Sequence, residues 1–308
     1  MKDFIPKIKK SDPSEKTRLL SARAYLMEGS YDKAIMECRA ALHINSQCIS
    51  ARLLLAKIYS TYGKYDETIE ECRAALIINN RLINAYLRLS YVYAEQGRYF
   101  EAITECKKAV QISPGNATAY FMLGELYIGQ ELYSEAIDAL QIALKLNPKL
   151  TKARYKLSYA YLKQNRQSEA LAEVEASLKL NSNSNRSHVI LGDIYMKRRE
   201  YTAALGEYQM ALGVCPQFAE VHHKVGEVYF KLNQYTKATE YLKEALLINP
   251  KLFESHHLLG ASYLKLGKPK KAVSHYRMAL KINPLSEMHA GLGDIYALQG
   301  NHSKAASE

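Results

Sequence analysis

Residues 38–45 read CRAALHIN and residues 72–79 read CRAALIIN, so eight residues recur with one change after thirty-four positions. The same interval governs the whole chain. Tyrosine returns at every step, at Tyr25, Tyr59, Tyr93, Tyr127, Tyr161, Tyr195, Tyr229 and Tyr263, and after one deleted residue at Tyr296. A series of small residues keeps the same step, at Ala34, Thr68, Ala102, Ala136, Ala170, Ala204, Ala238, Ala272 and, after that deletion, Ala305. A period of this length indicates a repeat array.

The composition fits such an array. The chain has 308 residues, 48% of them hydrophobic and 24% charged. Each unit of an array contacts only its neighbours, so the size limit on a single core does not apply. No stretch reaches the roughly 18 apolar residues that a membrane helix needs. The first residues, MKDFIPKIKKSDPSEK, lack the apolar segment of a secretory signal, so we expect a cytoplasmic protein.

The charge and the cysteines indicate no chemistry of their own. The formal net charge is +11, which would attract acidic partners or lipid, but the basic residues spread over every unit and show no nucleic-acid motif. We therefore do not expect nucleic-acid binding. Of five cysteines, Cys38, Cys72 and Cys106 share one repeat position, where we expect buried thiols that act as small apolar residues.

Each unit is predicted to be a helix, a tight turn and a second helix. In the third unit Tyr86, Leu89 and Tyr93 fall on one helical face, and Gly97 ends the helix because glycine accepts a left-handed backbone. Seven of nine units have Gly or Asn at this point. Three residues later, seven have a residue that we expect to cap the second helix: Asp32, Asp66, Ser134, Ser168, Thr202, Thr236 and Ser303.

Small residues recur in the first helix as well. Ala or Ser stands at positions 22, 56, 90 and 158, and Gly at 124, 192, 226, 260 and 293. We expect them to let the two helices of a unit approach closely, with the series from Ala34 facing them from the second helix.

This pattern of a large aromatic residue, Leu, a small residue and Tyr, followed by Ala and Pro, resembles the tetratricopeptide repeat (TPR). The resemblance covers residues 15–308, as eight full units over 15–286 and a shortened ninth over 287–308. It implies an all-α fold, a right-handed α-solenoid of tandem helix-turn-helix units. It also implies a binding scaffold, not a catalyst, whose first helices line a concave groove for peptides or partner proteins.

In the family, groove-facing side chains come from the second, fifth, sixth, ninth, twelfth and thirteenth positions of each first helix. Carried onto this chain, the fifth and ninth positions give the predicted partner-binding residues: Leu53, Lys57, Leu87, Tyr91, Phe121, Glu125, Tyr155, Tyr159, Val189, Asp193, His223, Glu227 and His257. The resemblance therefore implies an apolar floor, with basic residues toward the amino end and acidic residues toward the carboxyl end. The alternative is that these apolar positions pack against neighbouring units or an internal segment.

No motif indicates an enzyme, a cofactor or a metal. Phosphate loops, dinucleotide fingerprints and HExxH are all missing from the sequence. His223 and His257 could lie near each other, but a zinc site needs three or four ligands. Some co-chaperones of this fold grip a carboxylate tail with a Lys and Asn clamp. Here Leu87, Tyr91 and Met122 occupy three of the clamp positions, so we do not expect that mode.

The two ends leave alternatives open. Residues 1–14 read as a flexible basic leader that could contact anionic lipid or occupy a groove. The shortened ninth unit indicates either a fragment of a longer protein or an end covered by a second copy. The leading hypothesis is a non-catalytic scaffold for protein complexes of the pilus, secretion or magnetosome-coat type, with self-assembly as one form of it. The alternative is the substrate-recruiting arm of a larger enzyme, such as an O-linked N-acetylglucosamine transferase.

Overall fold

The computed structural model describes residues 14–284 together with Gly293. The predicted leader (except Ser14) and the ninth unit (except Gly293) therefore lie outside the described residues. Within the described part there are sixteen α-helices and no β-strand. In chain order the helices are α1 (Glu15–Met27), α2 (Tyr31–Ile44), α3 (Ile49–Thr61), α4 (Tyr65–Ile78), α5 (Ile83–Glu95), α6 (Tyr99–Ile112), α7 (Ala117–Gly129), α8 (Tyr133–Leu146), α9 (Thr151–Lys163), α10 (Gln167–Leu180), α11 (Asn185–Lys197), α12 (Tyr201–Val214), α13 (Ala219–Lys231), α14 (Tyr235–Ile248), α15 (Phe253–Lys265) and α16 (Pro269–Ile282).

The helices form eight antiparallel pairs. We number the pairs 1 to 8, from α1–α2 to α15–α16, and count positions from the first residue of each first helix, so that Glu15 and Ile49 both occupy position 1. First helices have 13 residues and second helices 14 in every pair. The predicted all-α fold of tandem helix-turn-helix units is confirmed.

The chain divides into two compact units, Met1–Ala153 and Arg154–Glu308. The first contains pairs 1 to 4, and the second contains most of α9, all of α10 and pairs 6 to 8. Within each unit a first helix packs on its own partner, as α5 does on α6, and a second helix packs on the next first helix, as α14 does on α15. Each unit therefore buries its apolar faces between neighbours in sequence, as a repeat array does.

The turn inside each pair has one fixed geometry. The residue at position 15 has a left-handed backbone, as predicted for Gly29, Gly63, Gly97, Asn165, Asn233 and Gly267. In every pair the N–H of position 16 donates to the carbonyl of the tyrosine at position 11, for example Arg98 to Tyr93 at 2.8 Å. This bond closes the end of the first helix. Pairs 4 and 6 place Glu131 and Arg199 in the same left-handed conformation without a glycine or asparagine.

The predicted caps of the second helices are wrong. Those helices begin at position 17, so Asp32 and Ser134 already lie inside the first turn. The residue that precedes each second helix, such as Lys64 or Leu132, makes no side-chain cap hydrogen bond. The physical reason is that the turn holds position 16 by its backbone, through the bond to the tyrosine, and the helix starts at once. Acidic residues such as Asp32 are still favourable there because they face the positive end of the helix dipole.

The close approach inside each pair is made between positions 8 and 24. A Cβ built on Gly124 would lie 2.6 Å from Leu140 Cγ, and one on Gly192 would lie 2.5 Å from Tyr208 Cε1. The carbonyl of Ala136, in the expected alanine series, lies farther away at 3.4 Å. Small residues are therefore required at position 8, as predicted, but the side chain that requires them is at position 24.

The cysteines belong to this contact. Cys38, Cys72 and Cys106 occupy position 24 of pairs 1 to 3, and all three are fully buried. Burial raises the pKa of each thiol to about 12, so these side chains stay protonated at neutral pH. They are small enough to fill the contact between the two helices, and Cys106 Sγ also donates to the carbonyl of Ala119 on α7 at 3.3 Å.

Candidate functional site

First helices of the first unit surround a concave pocket with a volume of about 480 Å³. Its walls come from α1, α3, α5 and α7, at positions 2, 5, 6 and 9 of those helices. These positions recur on one face of a helix, since residues three and four apart lie side by side. The lining residues are Arg23, Ser50, Leu53, Leu54, Lys57, Asn84, Leu87, Arg88, Tyr91 and Met122.

The floor of the pocket is apolar. Leu53, Leu54, Leu87 and Met122 are each only partly buried, so they cover the core beneath them and still reach the pocket. Leu53, Leu87 and Met122 also pack against the buried cluster of the first unit. A pocket of this size with an apolar base and a few polar groups has the composition of protein ligand sites.

The polar wall of the pocket is cationic. Arg23 and Lys57 are exposed, and Arg88 is partly buried. Arg88 Nη1 donates to Ser60 Oγ at 2.7 Å, and burial lowers the pKa of the guanidinium. No lining residue is acidic, and within the described part of the chain none of these three cations pairs with a carboxylate.

Tyr91 completes the wall on α5. Its side chain is 44% exposed, and partial burial together with the nearby charge of Glu95 raises the pKa of its hydroxyl. Asn84 lies seven residues earlier on the same helix and Arg88 between them, so the three side chains form one polar strip. The strip offers several hydrogen-bond donors beside the apolar floor.

The pocket contains four of the predicted groove residues of the first unit, Leu53, Lys57, Leu87 and Tyr91. The other two, Phe121 and Glu125, do not line it. The other lining residues occupy positions 2 and 6, which the resemblance also places on the groove face, and position 9 of pair 1, but they are not in the predicted residue set. These residues are Arg23, Ser50, Leu54, Asn84, Arg88 and Met122.

In the second unit the predicted groove residues are partly engaged by internal contacts. Asp193 Oδ1 accepts hydrogen bonds from the Tyr208 hydroxyl at 2.6 Å and from Lys224 Nζ at 2.7 Å. Val189 packs against the buried cluster of this unit. Tyr155 and Tyr159 on α9, Glu227 on α13 and His257 on α15 are partly buried.

His223 and His257, whose spacing in the sequence could bring them together, have other contacts. His223 Nδ1 lies 3.0 Å from Ser255 Oγ, and burial lowers the pKa of His223 to about 4. The His257 ring lies against Tyr276, with ring centroids 5.7 Å apart. Across the described residues no group of three or more His, Cys, Asp or Glu side chains could hold a metal ion.

The recurring histidines at position 4 have a structural role instead. Nε2 of His188, His222 and His256 lies 2.8, 2.9 and 3.1 Å from the carbonyl six residues earlier, in Ser182, Pro216 and Pro250. In pairs 2 and 3, Arg52 and Tyr86 donate to the matching carbonyls of Ser46 and Asn80 at 2.9 and 3.1 Å. In these five pairs position 4 therefore connects the first helix to the loop before it.

Comparison with known families agrees with this architecture. Models described as tetratricopeptide repeat match residues 81–149, 217–284 and 121–185, and a model described as TPR repeat matches 192–233. Together the matches cover more than half of the chain. The chain belongs to the tetratricopeptide repeat family. A search of curated proteins finds no match to it.

Solved structures share the fold. A chain of the APC/C hetero-tetramer Cut9–Hcn1 superposes with a TM-score of 0.69 at 18% identity, over 98% of this chain and 57% of that chain. The type IV pilus biogenesis factor PilW gives a TM-score of 0.62 at 18% identity, over 67% of this chain and 96% of that one. PilF of Pseudomonas aeruginosa gives 0.59 at 23% identity, over 67% and 94%. This chain thus spans little more than half of the Cut9–Hcn1 chain.

None of the described helices is long and apolar enough to cross a membrane.

Proposed function

We propose that this protein is a non-catalytic scaffold that binds segments of partner proteins on the inner face of its first helices. One observation carries the proposal: four consecutive first helices converge on a pocket of about 480 Å³ with an apolar floor. Exposed apolar surface of this kind usually marks an interface. The membership of the tetratricopeptide repeat family supports the same class of function.

The assembly that the scaffold serves stays a prediction. The structural neighbours include a pilus biogenesis factor and an APC/C subunit, and at this identity they share only the fold with this chain. The substrate-recruiting arm of a larger enzyme is the alternative, which the reading frame of the native gene beyond Glu308 would test. Self-association through the repeat ends, membrane contact through residues 1–14 and a cytoplasmic location also stay predictions.

The groove is tested by changing one residue of its floor. Leu87→Glu should abolish capture of partners from native lysate, because it places a charge in the apolar floor of the pocket. Phe100→Glu is the matched control, since Phe100 is exposed, belongs to the same helix pair and lies outside the pocket. Circular dichroism must show both variants as helical as the wild type. Equal capture by all three proteins would contradict the proposal.

A further inference from the structure

The pocket of the first unit carries an uncompensated positive charge. Arg23, Lys57 and Arg88 reach it from three successive first helices, and its lining includes no acid. Two cations on the same first helices as Arg23 and Lys57 are paired instead: Arg18 with Glu37 and Arg52 with Glu71, both at 3.0 Å. Three unpaired cations at one concave site attract an anion and disfavour a neutral ligand, because the walls of a cleft concentrate the field.

Arg88 is already positioned for such a ligand. It is partly buried, and its hydrogen bond to Ser60 on the neighbouring first helix fixes one of its five N–H donors. The remaining donors are available to an acceptor in the pocket. A side chain held in place before binding loses less conformational entropy when the ligand arrives, so Arg88 is the strongest candidate for direct contact with an anionic group.

The ligand must also cover the leucine floor. A small inorganic anion would satisfy Arg88 but leave Leu53, Leu87 and Met122 in contact with water. A ligand with a carboxylate next to an apolar side chain would satisfy both parts of the pocket. Asn84 and Tyr91, on the same helix as Arg88, could then hydrogen-bond the ligand backbone.

We infer that this pocket binds an acidic segment of a partner protein, in which an Asp or Glu carboxylate contacts Arg88 and a neighbouring apolar side chain packs on the leucine floor. The inference rests on the proposed function, since it names the class of partner for that same groove. The carboxylates of the segment would neutralise Arg23, Lys57 and Arg88 together.

Two other occupants fit the pocket less well. The leader of this chain carries Lys2, Lys7, Lys9 and Lys10, so its charge has the wrong sign for a cationic pocket. Single-stranded nucleic acid is held by a long basic track and by several aromatic faces on which bases stack. The pocket offers three cations and one aromatic ring, that of Tyr91.

The test compares two peptide pools that differ only in charge. Both are amidated octapeptides rich in Leu, Ile and Phe. One pool mixes these with Asp and Glu, and the other mixes them with the isosteric amides Asn and Gln. We expect the immobilised full chain to capture the acidic pool at least about tenfold more strongly, as measured by mass spectrometry of the eluate. Raising the ionic strength from about 0.05 to about 0.5 M should weaken that capture.

Matched variants locate the interaction. Arg88→Gln should lower capture of the acidic pool about 10- to 100-fold, because a charge-assisted hydrogen bond is lost. Lys145→Gln removes the same charge from an exposed position on α8 outside the pocket and should leave capture unchanged. If Arg88→Gln loses helical content, Lys57→Gln, at an exposed position in the same wall, takes its place with a smaller expected loss.

The outcomes separate the two proposals. Equal capture of both pools, lost in Leu87→Glu, would overturn the acidic specificity and keep the groove as a binding surface. Capture of neither pool would count against both proposals. Stronger binding of a single-stranded oligonucleotide that displaces the acidic pool would replace the acidic peptide with nucleic acid as the occupant and overturn the inference.

Discussion

Helix pairs 1 to 3 and pairs 6 to 8 fill the same positions with different side chains. At positions 8 and 24 the first group combines Ala22, Ala56 and Ser90 with the three buried cysteines, and the second group combines Gly192, Gly226 and Gly260 with Tyr208, Leu242 and Tyr276. The larger residue at position 24 is always accompanied by the smaller one at position 8. The difference teaches that a larger side chain at position 24 requires a smaller one at position 8, whatever the identity of either residue.

Position 4 shows the same substitution of chemistry. Pairs 2 and 3 tie the first helix to the preceding loop with Arg52 and Tyr86, whereas pairs 6 to 8 use histidines. Position 5 changes likewise, from Leu53 and Leu87 to His223. Burial lowers the pKa of His223, so position 5 of pair 7 acquires a response to acid that the leucines of pairs 2 and 3 lack.

The largest expected effect on stability comes from converting the Gly and Leu contact of pair 7 into the Ala and Cys contact of pair 2. Leu242→Cys should cost about 2–4 kcal/mol of unfolding free energy, because the fully buried side chain leaves a cavity. Gly226→Ala places a Cβ 2.7 Å from Leu242 Cγ and should cost roughly 1–3 kcal/mol, partly offset by about 1 kcal/mol of helix propensity. The double variant reproduces the Ala and Cys combination of pair 2. It should cost less than the sum of the single variants by about 1–2 kcal/mol.

Urea unfolding of the four proteins measures this cycle. Gly206→Ala serves as the control for helix propensity, since a Cβ at Gly206 would meet no atom within 4 Å. Strict additivity of the two changes would show that the sizes of the residues at positions 8 and 24 are not coupled, and the comparison between the two groups of pairs would lose its physical basis.

The second effect is the response of His223 to acid. Burial, followed by the charge of Lys224, lowers the pKa of His223 from its ordinary value of 6.5 to about 4. Between these values the unfolded chain binds more protons than the folded one, so stability falls as the pH falls. The contribution of His223 to the free energy of unfolding is complete above pH 6.5. It should decrease by about 2 kcal/mol between roughly pH 7 and pH 5.

His223→Gln should remove this part of the pH dependence of urea unfolding, since glutamine does not titrate and can still hydrogen-bond Ser255. His43→Gln is the control because His43 is exposed on α2. An unchanged pH dependence in His223→Gln would mean that the histidine is not held neutral in the folded protein.

Sequence periodicity predicts what every repeat shares. The helix pairs, the left-handed turn and the small residue at position 8 recur in register, so each is supported by many copies of the same pattern. The predicted caps failed because Asp32 and its equivalents lie three residues after the left-handed turn residue, where a cap would be plausible. In the structure the residue at position 16 is instead held by its backbone hydrogen bond to the tyrosine at position 11, and the second helix begins at the next residue.

The candidate site departs from the shared pattern and was therefore predicted only in part. Position 6 carries Leu54, Arg88 and Met122 in pairs 2, 3 and 4, so no period singles out Arg88. The cationic cluster combines position 9 of two pairs with position 6 of a third. The sequence predicts Asp193 as an acidic residue of the groove. In the structure its hydrogen bonds to Tyr208 and Lys224 connect residues that are distant in sequence. Such contacts follow from packing and not from spacing.

The smallest expected effect concerns the turn, where the early pairs use glycine and pair 6 uses Arg199. Its φ of 62° is in the left-handed region, which costs a residue with a side chain roughly 1–2 kcal/mol relative to glycine. Arg199→Gly should therefore raise the unfolding free energy by about 1 kcal/mol, after allowing for the greater freedom of glycine in the unfolded chain. The reciprocal change Gly63→Ala, with φ 69° and no atom within 4 Å of the added Cβ, should lower it by a similar amount. Thermal and urea unfolding of both variants measure the effect. A loss of stability in Arg199→Gly would mean that the arginine side chain stabilises the turn by more than its backbone conformation costs.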